Sequence, residues 1–514
     1  MALNLNDLIA SIGDENDERF PIAKAQVQEY LSTLQTVKIF IADSRNFGHQ
    51  SSSINILFNL IRLGCNAVYT VVYENRNALN KLKVLLPINP DNVQSITLPN
   101  STNTGNVTVN FKFFNEDPVE SDLALTGGYD NSVRTLTNLN AKYIIELQPY
   151  NWYEPGSQNV IYIKETDSVV NLDQEITNFN KQAFYIEDPT RDDVFWAKFP
   201  LALPSWLATV KLTTALLDLY GPDKNFLLTP LYGINTASID PILALFNMCC
   251  GVSYQQSGSG GDKRKAVIVS FSPTKQTGQN NDVDLGLLKT LIDTGKYGTK
   301  GPIFDAGTFC NKYRESSNLA ARVKYYSGTI SEQLTAAIEQ LEEQQILVVQ
   351  IGPVPAPIFN YTYYMANLPF VFEGQNTATL AMNFGRPYLH LTVPSTYDEK
   401  TLFPAIPTGN SVNNNLNGNI ATMISSRLSV YPRTWADTKI KLNKDQDLLE
   451  NRPSRIGQLS PAYVLGQYAY DALQADPKNR QTKYFTKIGT YFHDEKYDKL
   501  LDALIYLNNN IINP

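Results

Sequence analysis

Short apolar runs rich in β-branched residues recur along the chain, each closed by a polar or glycine-containing turn and followed by apolar residues at helical spacing. Val37–Ala42 (VKIFIA) stops at Asp43-Ser44-Arg45-Asn46-Phe47-Gly48, after which Ile54, Leu57, Phe58 and Ile61 recur up to Gly64, and Ala67–Val72 is strand-like again. A bounded apolar run predicts a buried strand, and the following spacing predicts a helix. Strand, helix and strand in succession predict parallel pairing. Leu123–Thr126 running into Gly127-Gly128, and Tyr143–Leu147 running into Pro149, continue the series. The stretch from Trp196 to Leu219 reads as helical, and Asn225–Leu231 as a returning strand or a link.

Gln255–Lys265 (QQSGSGGDKRK) combines Ser and Gly with charge and predicts a flexible surface loop. A second series then begins. Ala266–Phe271 (AVIVSF) leads to a helix marked by Leu285, Leu288 and Ile292 and ended near Gly295. Thr329 with Glu332 predicts a capping box ahead of Leu334, Ala337, Ile338 and Leu341. Ile346–Ile351 (ILVVQI) and Leu368–Phe372 are further strands, Asn410–Asn419 is an exposed loop, and helices follow from Ser460-Pro461 and over Tyr497–Leu507.

The expected fold is α/β, with two Rossmann-like parallel-sheet domains facing across a cleft and a C-terminal helical tail. Its divisions are residues 1–205, a linker region 206–262, a second domain 263–455 and helices over 456–514. The 514 residues exceed what one core usually supports.

Composition narrows the partners. Apolar residues make up 43% and charged residues 18%, which suits a chain with large cores. The 43 Lys and Arg against 50 Asp and Glu give a net charge of −7 with no long basic run, so nucleic acid is not expected as a partner. Cys65, Cys249, Cys250 and Cys310 show no CxxC spacing and fit a reducing compartment. The first twenty residues carry acids where an export signal needs a basic start, and the apolar stretches are short of a membrane span, so a cytoplasmic protein without a transmembrane segment is expected. Walker-type loops, His/Cys metal clusters and G-x-S-x-G elbows do not occur.

The segment Val371–Pro387 (VFEGQNTATLAMNFGRP) resembles the donor-binding segment of GT-B glycosyltransferases, in which a strand ends in Gly-x-Asn-Ser/Thr and a helix leads to Gly-x-Pro. Gly374, Asn376, Thr377, Gly385 and Pro387 stand in the matching places, flanked by Glu373 and Gln375. A glycine there admits close backbone approach, and the free N–H groups of a helix start can hold a diphosphate without metal. The same residues also serve as an ordinary turn and cap. Where many members carry a phosphate-binding His this chain has Phe372, and where many carry a ribose-binding acid it has Leu380.

Gly48-His49 looks like the Gly-His loop of the same superfamily, with Ser52 where many relatives have Pro. The resemblance makes His49 the candidate general base, oriented by Asp122 or Asp130; the alternative is a loop histidine without chemistry. His390 reads as a core residue and His493 as exposed. Ser270, Ser272 and Lys275 after the first strand of the second series, and Gly352-Pro353 after the third, belong to the expected ligand edge.

The resemblance implies transfer of a sugar from a nucleotide-sugar donor to an unknown acceptor, the nucleotide sugar being a co-substrate and no separate cofactor being needed. Two alternatives stay open: an inactive GT-B-like scaffold that self-associates as a homo-oligomer, and a nucleotide-sugar 2-epimerase.

Overall fold

The computed structural model describes residues 19–44, 47–86, 88, 95–100, 105–128, 133–149, 159–176, 226–232, 241–257, 263–271, 283–295, 314–315, 317–354, 356–372, 375–386, 388–390 and 499–514. In the first part, α1 (Arg19–Thr33), β1 (Thr36–Ile41), α2 (Gly48–Arg62), β2 (Val68–Tyr73), α3 (Arg76–Leu85), β3 (Ile96–Pro99), β4 (Asn106–Phe113), β5 (Ser121–Thr126), β6 (Ala141–Glu146), β7 (Val160–Ile163) and β8 (Ser168–Asn171) follow one another. They form an eight-stranded sheet in the order β3-β4-β2-β1-β5-β6-β7-β8.

The five central strands, β4-β2-β1-β5-β6, are parallel, and β3, β7 and β8 add antiparallel edges. The chain runs outward from β1 to β4, then returns to β5 beside β1 and runs outward the other way. Such a reversal opens a crevice at the carboxyl ends of the two middle strands.

Successive residues of β1 serve opposite faces, as the pleat requires. Val37, Ile39 and Ile41 join a large core with α1, α2, α3 and the last helix, α9 (Lys499–Tyr506), whereas Phe40 joins a smaller core with Val133, Leu136 and Leu139. Lys38 lies on the Phe40 side and is buried; its Nζ donates to the carbonyls of Asp117, Val119 and Leu139 and pairs with the Asp117 carboxylate at 3.5 Å.

The second part contains β9 (Phe226–Tyr232), α4 (Pro241–Ser257), β10 (Lys265–Phe271), α5 (Leu285–Thr294), β11 (Val323–Gly328), α6 (Glu332–Glu339), β12 (Ile346–Ile351), α7 (Ala356–Met365), β13 (Phe370–Phe372), α8 (Gln375–Phe384) and β14 (Tyr388–His390). All six strands pair in parallel in the order β11-β12-β10-β9-β13-β14. The reversal here lies between β9 and β13. Tyr232, Phe271, Phe359, Tyr363 and Phe370 pack ring to ring between α7 and the sheet, at centroid distances of 4.7 to 5.3 Å.

Several expectations change. β9 and α4 are the first strand and crossover of the second sheet, so residues 226–232 and 241–257 are structural members of it and not a link. Gln255–Ser257 continue α4, and Gln256 is buried, donating to the Arg264 carbonyl and accepting from Arg322. Helix α6 is capped by the extended Ser331 without a side-chain cap bond, so Thr329 makes no capping box; its carbonyl accepts from Tyr326 instead. Residues 196–219, 410–419 and 460–498 lie outside the described residues. Among the described residues no helix is long and apolar enough to cross a membrane.

The last helix belongs physically to the first sheet. Leu500, Leu501, Ala503, Leu504 and Leu507 are buried in its larger core against α1, and Lys499 donates to the Gln148 carbonyl at 2.7 Å and to that of Pro149. Truncating a buried leucine removes apolar contact and leaves a cavity. Leu504→Ala is expected to destabilise the protein by about 2–4 kcal/mol in denaturant unfolding, with faster hydrogen exchange in α1 and not in β10 or β12.

Candidate functional site

At the carboxyl end of β1 the chain is tied down by polar contacts. The Asp43 N–H donates to Glu74 (2.7 Å), and the Asp43 carboxylate accepts from Lys81 (2.9 Å) and Asn75 (3.1 Å). Partial burial pushes the Asp43 pKa up, but Lys81 and Asn75 outweigh it and hold the carboxyl below its ordinary value. Gln50 Nε2 donates to the Ala42 carbonyl at 2.6 Å and fixes the turn from inside. His49, the second residue of α2, is half-buried beside this turn.

The end of β5 meets α2 more closely than any side chain would allow. A Cβ on Gly127 would stand 2.5 Å from Ser52 Cβ and from the Ser53 backbone nitrogen, and the Gly127 N–H donates to Ser53 Oγ at 2.9 Å. Gly128 has φ +109°, a conformation open to glycine, and a Cβ there would lie 3.3 Å from His49 Cδ2 and 3.2 Å from Gln148 Oε1. The two glycines thus set His49 against the reversal between β1 and β5.

The second sheet meets this place at its own reversal. Ser52 Oγ donates to Asn376 Oδ1 (2.9 Å), and Asn376 Nδ2 donates to Ser51 Oγ (3.0 Å). The Phe47 N–H approaches the Tyr232 hydroxyl at 3.5 Å, and Ala356 packs on the first sheet's core. The Gly-His segment and the Asn-Thr segment, more than three hundred residues apart, are in direct contact.

Other expected site residues fall elsewhere. Asp122 is the second residue of β5, at the amino end of the sheet, where it accepts from the N–H groups of Gln35 (2.9 Å) and Thr36 (3.2 Å) and from Lys142 (2.8 Å). It therefore cannot orient His49, which follows the opposite end of β1. Asp130, Ser272, Lys275, Glu373 and Gly374 lie outside the described residues, and Gln375 opens α8. Thr377 is buried, so it does not present a side chain to a cleft. Phe372 and Leu380 are also core residues.

Ser270 and Gln350 are registered neighbours near the carboxyl ends of β10 and β12, both buried, and among the described residues neither Ser270 Oγ nor Gln350 Oε1 has a hydrogen-bond partner. Beyond them a Cβ on Gly352 would meet nothing within 4 Å among the described residues. Among the described residues no group of His, Cys, Asp and Glu is arranged to hold a metal.

Sequence reading missed Glu146 and Gln148. Both are buried at the end of β6, with Gln148 Nε2 donating to Glu146 Oε1 at 3.1 Å. The signal was present only as polar residues closing an apolar run.

Two substitutions test this geometry. Gly127→Ala is expected to cost about 2–3 kcal/mol, because α2 must move to admit the methyl group, measured by chemical denaturation. Asp122 is partly buried, which raises its pKa, but Lys142 and the two N–H groups hold it below the ordinary 3.8. Its stabilisation is therefore present above the unfolded-state pKa and lost as pH falls through the depressed folded value. Asp122→Asn is expected to cost about 1–2 kcal/mol at neutral pH, with wild type and variant converging at acid pH in the same assay.

No protein-family model matches the chain, and no curated protein sequence matches it, so its functional reading rests on the residues and contacts above.

Proposed function

We propose that the chain is a glycosyltransferase of the GT-B kind, whose two sheets form domains facing each other across a cleft. A nucleotide-sugar donor is held mainly at the carboxyl edge of the second sheet, and the acceptor at that of the first. The observation that carries this reading is the meeting of the two chain reversals through Ser51, Ser52 and Asn376, since ligands in open α/β sheets bind at such points. The start of α8 offers backbone N–H groups and the positive end of a helix dipole to a diphosphate, a chemistry that needs no metal.

In this reading an acceptor hydroxyl attacks the anomeric carbon by direct displacement. Its proton passes to His49, the new glycosidic bond forms and the nucleoside diphosphate leaves. The contact between α2 and α8 is the closed arrangement that keeps water from the reacting carbon.

A second reading, an inactive scaffold that self-associates, draws on specific observations. Phe372 and Leu380 are buried in the core, and both ends of the Asn376 amide are taken by serines. A fold carries no activity by itself.

Thermal stabilisation by a panel of nucleoside-diphosphate sugars and free nucleoside diphosphates separates the two. One nucleotide is expected to stabilise the protein dose-dependently, by about 2.7 kcal/mol at a hundred times its dissociation constant. His49→Ala should keep that stabilisation and lower transfer by roughly 10²- to 10⁴-fold. No stabilisation at millimolar ligand, together with a multimer in light scattering, would favour the scaffold.

A further inference from the structure

The base proposed above needs a group to stabilise the positive charge it gains, and Asp122 stands at the wrong end of the sheet to supply it. Resting on that reading, we propose that Gln148, with its amide turned by Glu146, stabilises the imidazolium that His49 becomes on taking the acceptor proton. Gln148 acts through His49 and is a positioning residue.

The amide orientation follows from hydrogen-bond chemistry. An ionised carboxylate only accepts, so the 3.1 Å contact with Glu146 Oε1 commits the Gln148 NH₂ group to Glu146. The amide oxygen is left facing the other way. Gln148 Oε1 lies 3.2 Å, His49 Cδ2 3.3 Å and His49 Nε2 3.5 Å from one point, the position a Cβ on Gly128 would occupy. The negative end of the amide dipole and the Cδ2–Nε2 edge of the ring thus flank the same glycine, and any side chain at 128 would force them apart.

Gln148 is also held through its backbone. Its backbone N–H donates to Asn159 Oδ1 (2.9 Å), Asn159 is itself fixed by Asp173 (2.8 Å), and the Gln148 carbonyl accepts from Lys499 (2.7 Å). Glu146, Gln148 and Asn159 are all buried. In such surroundings a dipole backed by a carboxylate acts on a neighbouring charge with little screening, and it favours the protonated ring.

Other charges on the described elements around this place include Asp43 after β1, paired with Lys81 of α3, Glu74 after β2, Asp173 beside Asn159, Arg62 at the far end of α2, and Lys499 beyond Gln148. The first two neutralise each other. Lys499 opposes the effect of Glu146, and its ammonium group is bonded to the backbone carbonyls of Gln148 and Pro149.

The chain has only three histidines, so the His49 ring can be followed by NMR and assigned with His49→Gln. Against wild type, Glu146→Gln and Gln148→Leu should each lower the His49 titration midpoint by about half a pH unit or more, while His390 and His493 keep theirs. Gln148→Glu, which keeps the side-chain length, should raise it and serves if the leucine variant does not fold. Unchanged His49 midpoints in folded Glu146→Gln and Gln148→Glu proteins would overturn the proposal. The titration needs no donor, so its outcome is separate from that of the transfer reading. A coupled His49 in a protein that binds no nucleotide sugar would defeat transfer alone, and nucleotide-sugar binding with an uncoupled His49 would defeat this inference alone.

Discussion

The approach of β5 to helix α2 at Gly127 constrains everything built around it. Because a single Cβ there would overlap the backbone of Ser52 and Ser53, the strand end and the helix start are held at a separation that only glycine permits. From that separation follow the seat of His49 on Gly128, the bond from Gly127 to Ser53, and the direction in which Ser51 and Ser52 face the second sheet. Parallel sheets impose the rest. Since every central strand delivers its carboxyl end to the same edge, one close contact at that edge organises loops that are far apart in sequence.

The helix start on the other side is arranged differently. Asn376 satisfies its amide with two hydroxyls from the facing helix, while Thr377, Phe372 and Leu380 are turned into the core. At this joint the first sheet contributes two hydroxyls and the second one carboxamide.

Much of the architecture is legible in the apolar runs. β1, β2, β5, β10 and β12 are central strands, and runs of three or four consecutive apolar residues closed by turns mark them. β4 escapes that reading because its exposed and buried residues alternate, and β3, β7 and β8 because four residues carry too little pattern. His49 is legible from its place after a strand and at the start of a helix. Asp122 shows the limit: sequence marks an acid near a strand, but the register decides which end it occupies, and here it is the amino end. Glu146 and Gln148 gain meaning only when β6 lies beside β5 and brings them to the glycines.

Lys499 carries a consequence for how the protein comes into being. Its bond to the Gln148 carbonyl closes a loop across 351 residues, and the helix it begins fills the core of the first sheet. Contacts of such long range form late, because chain entropy must be overcome before they can be made. During synthesis the strands of the first sheet therefore emerge well before α9, and the apolar face of α1 stays uncovered until that helix, more than three hundred residues beyond β6, has been made.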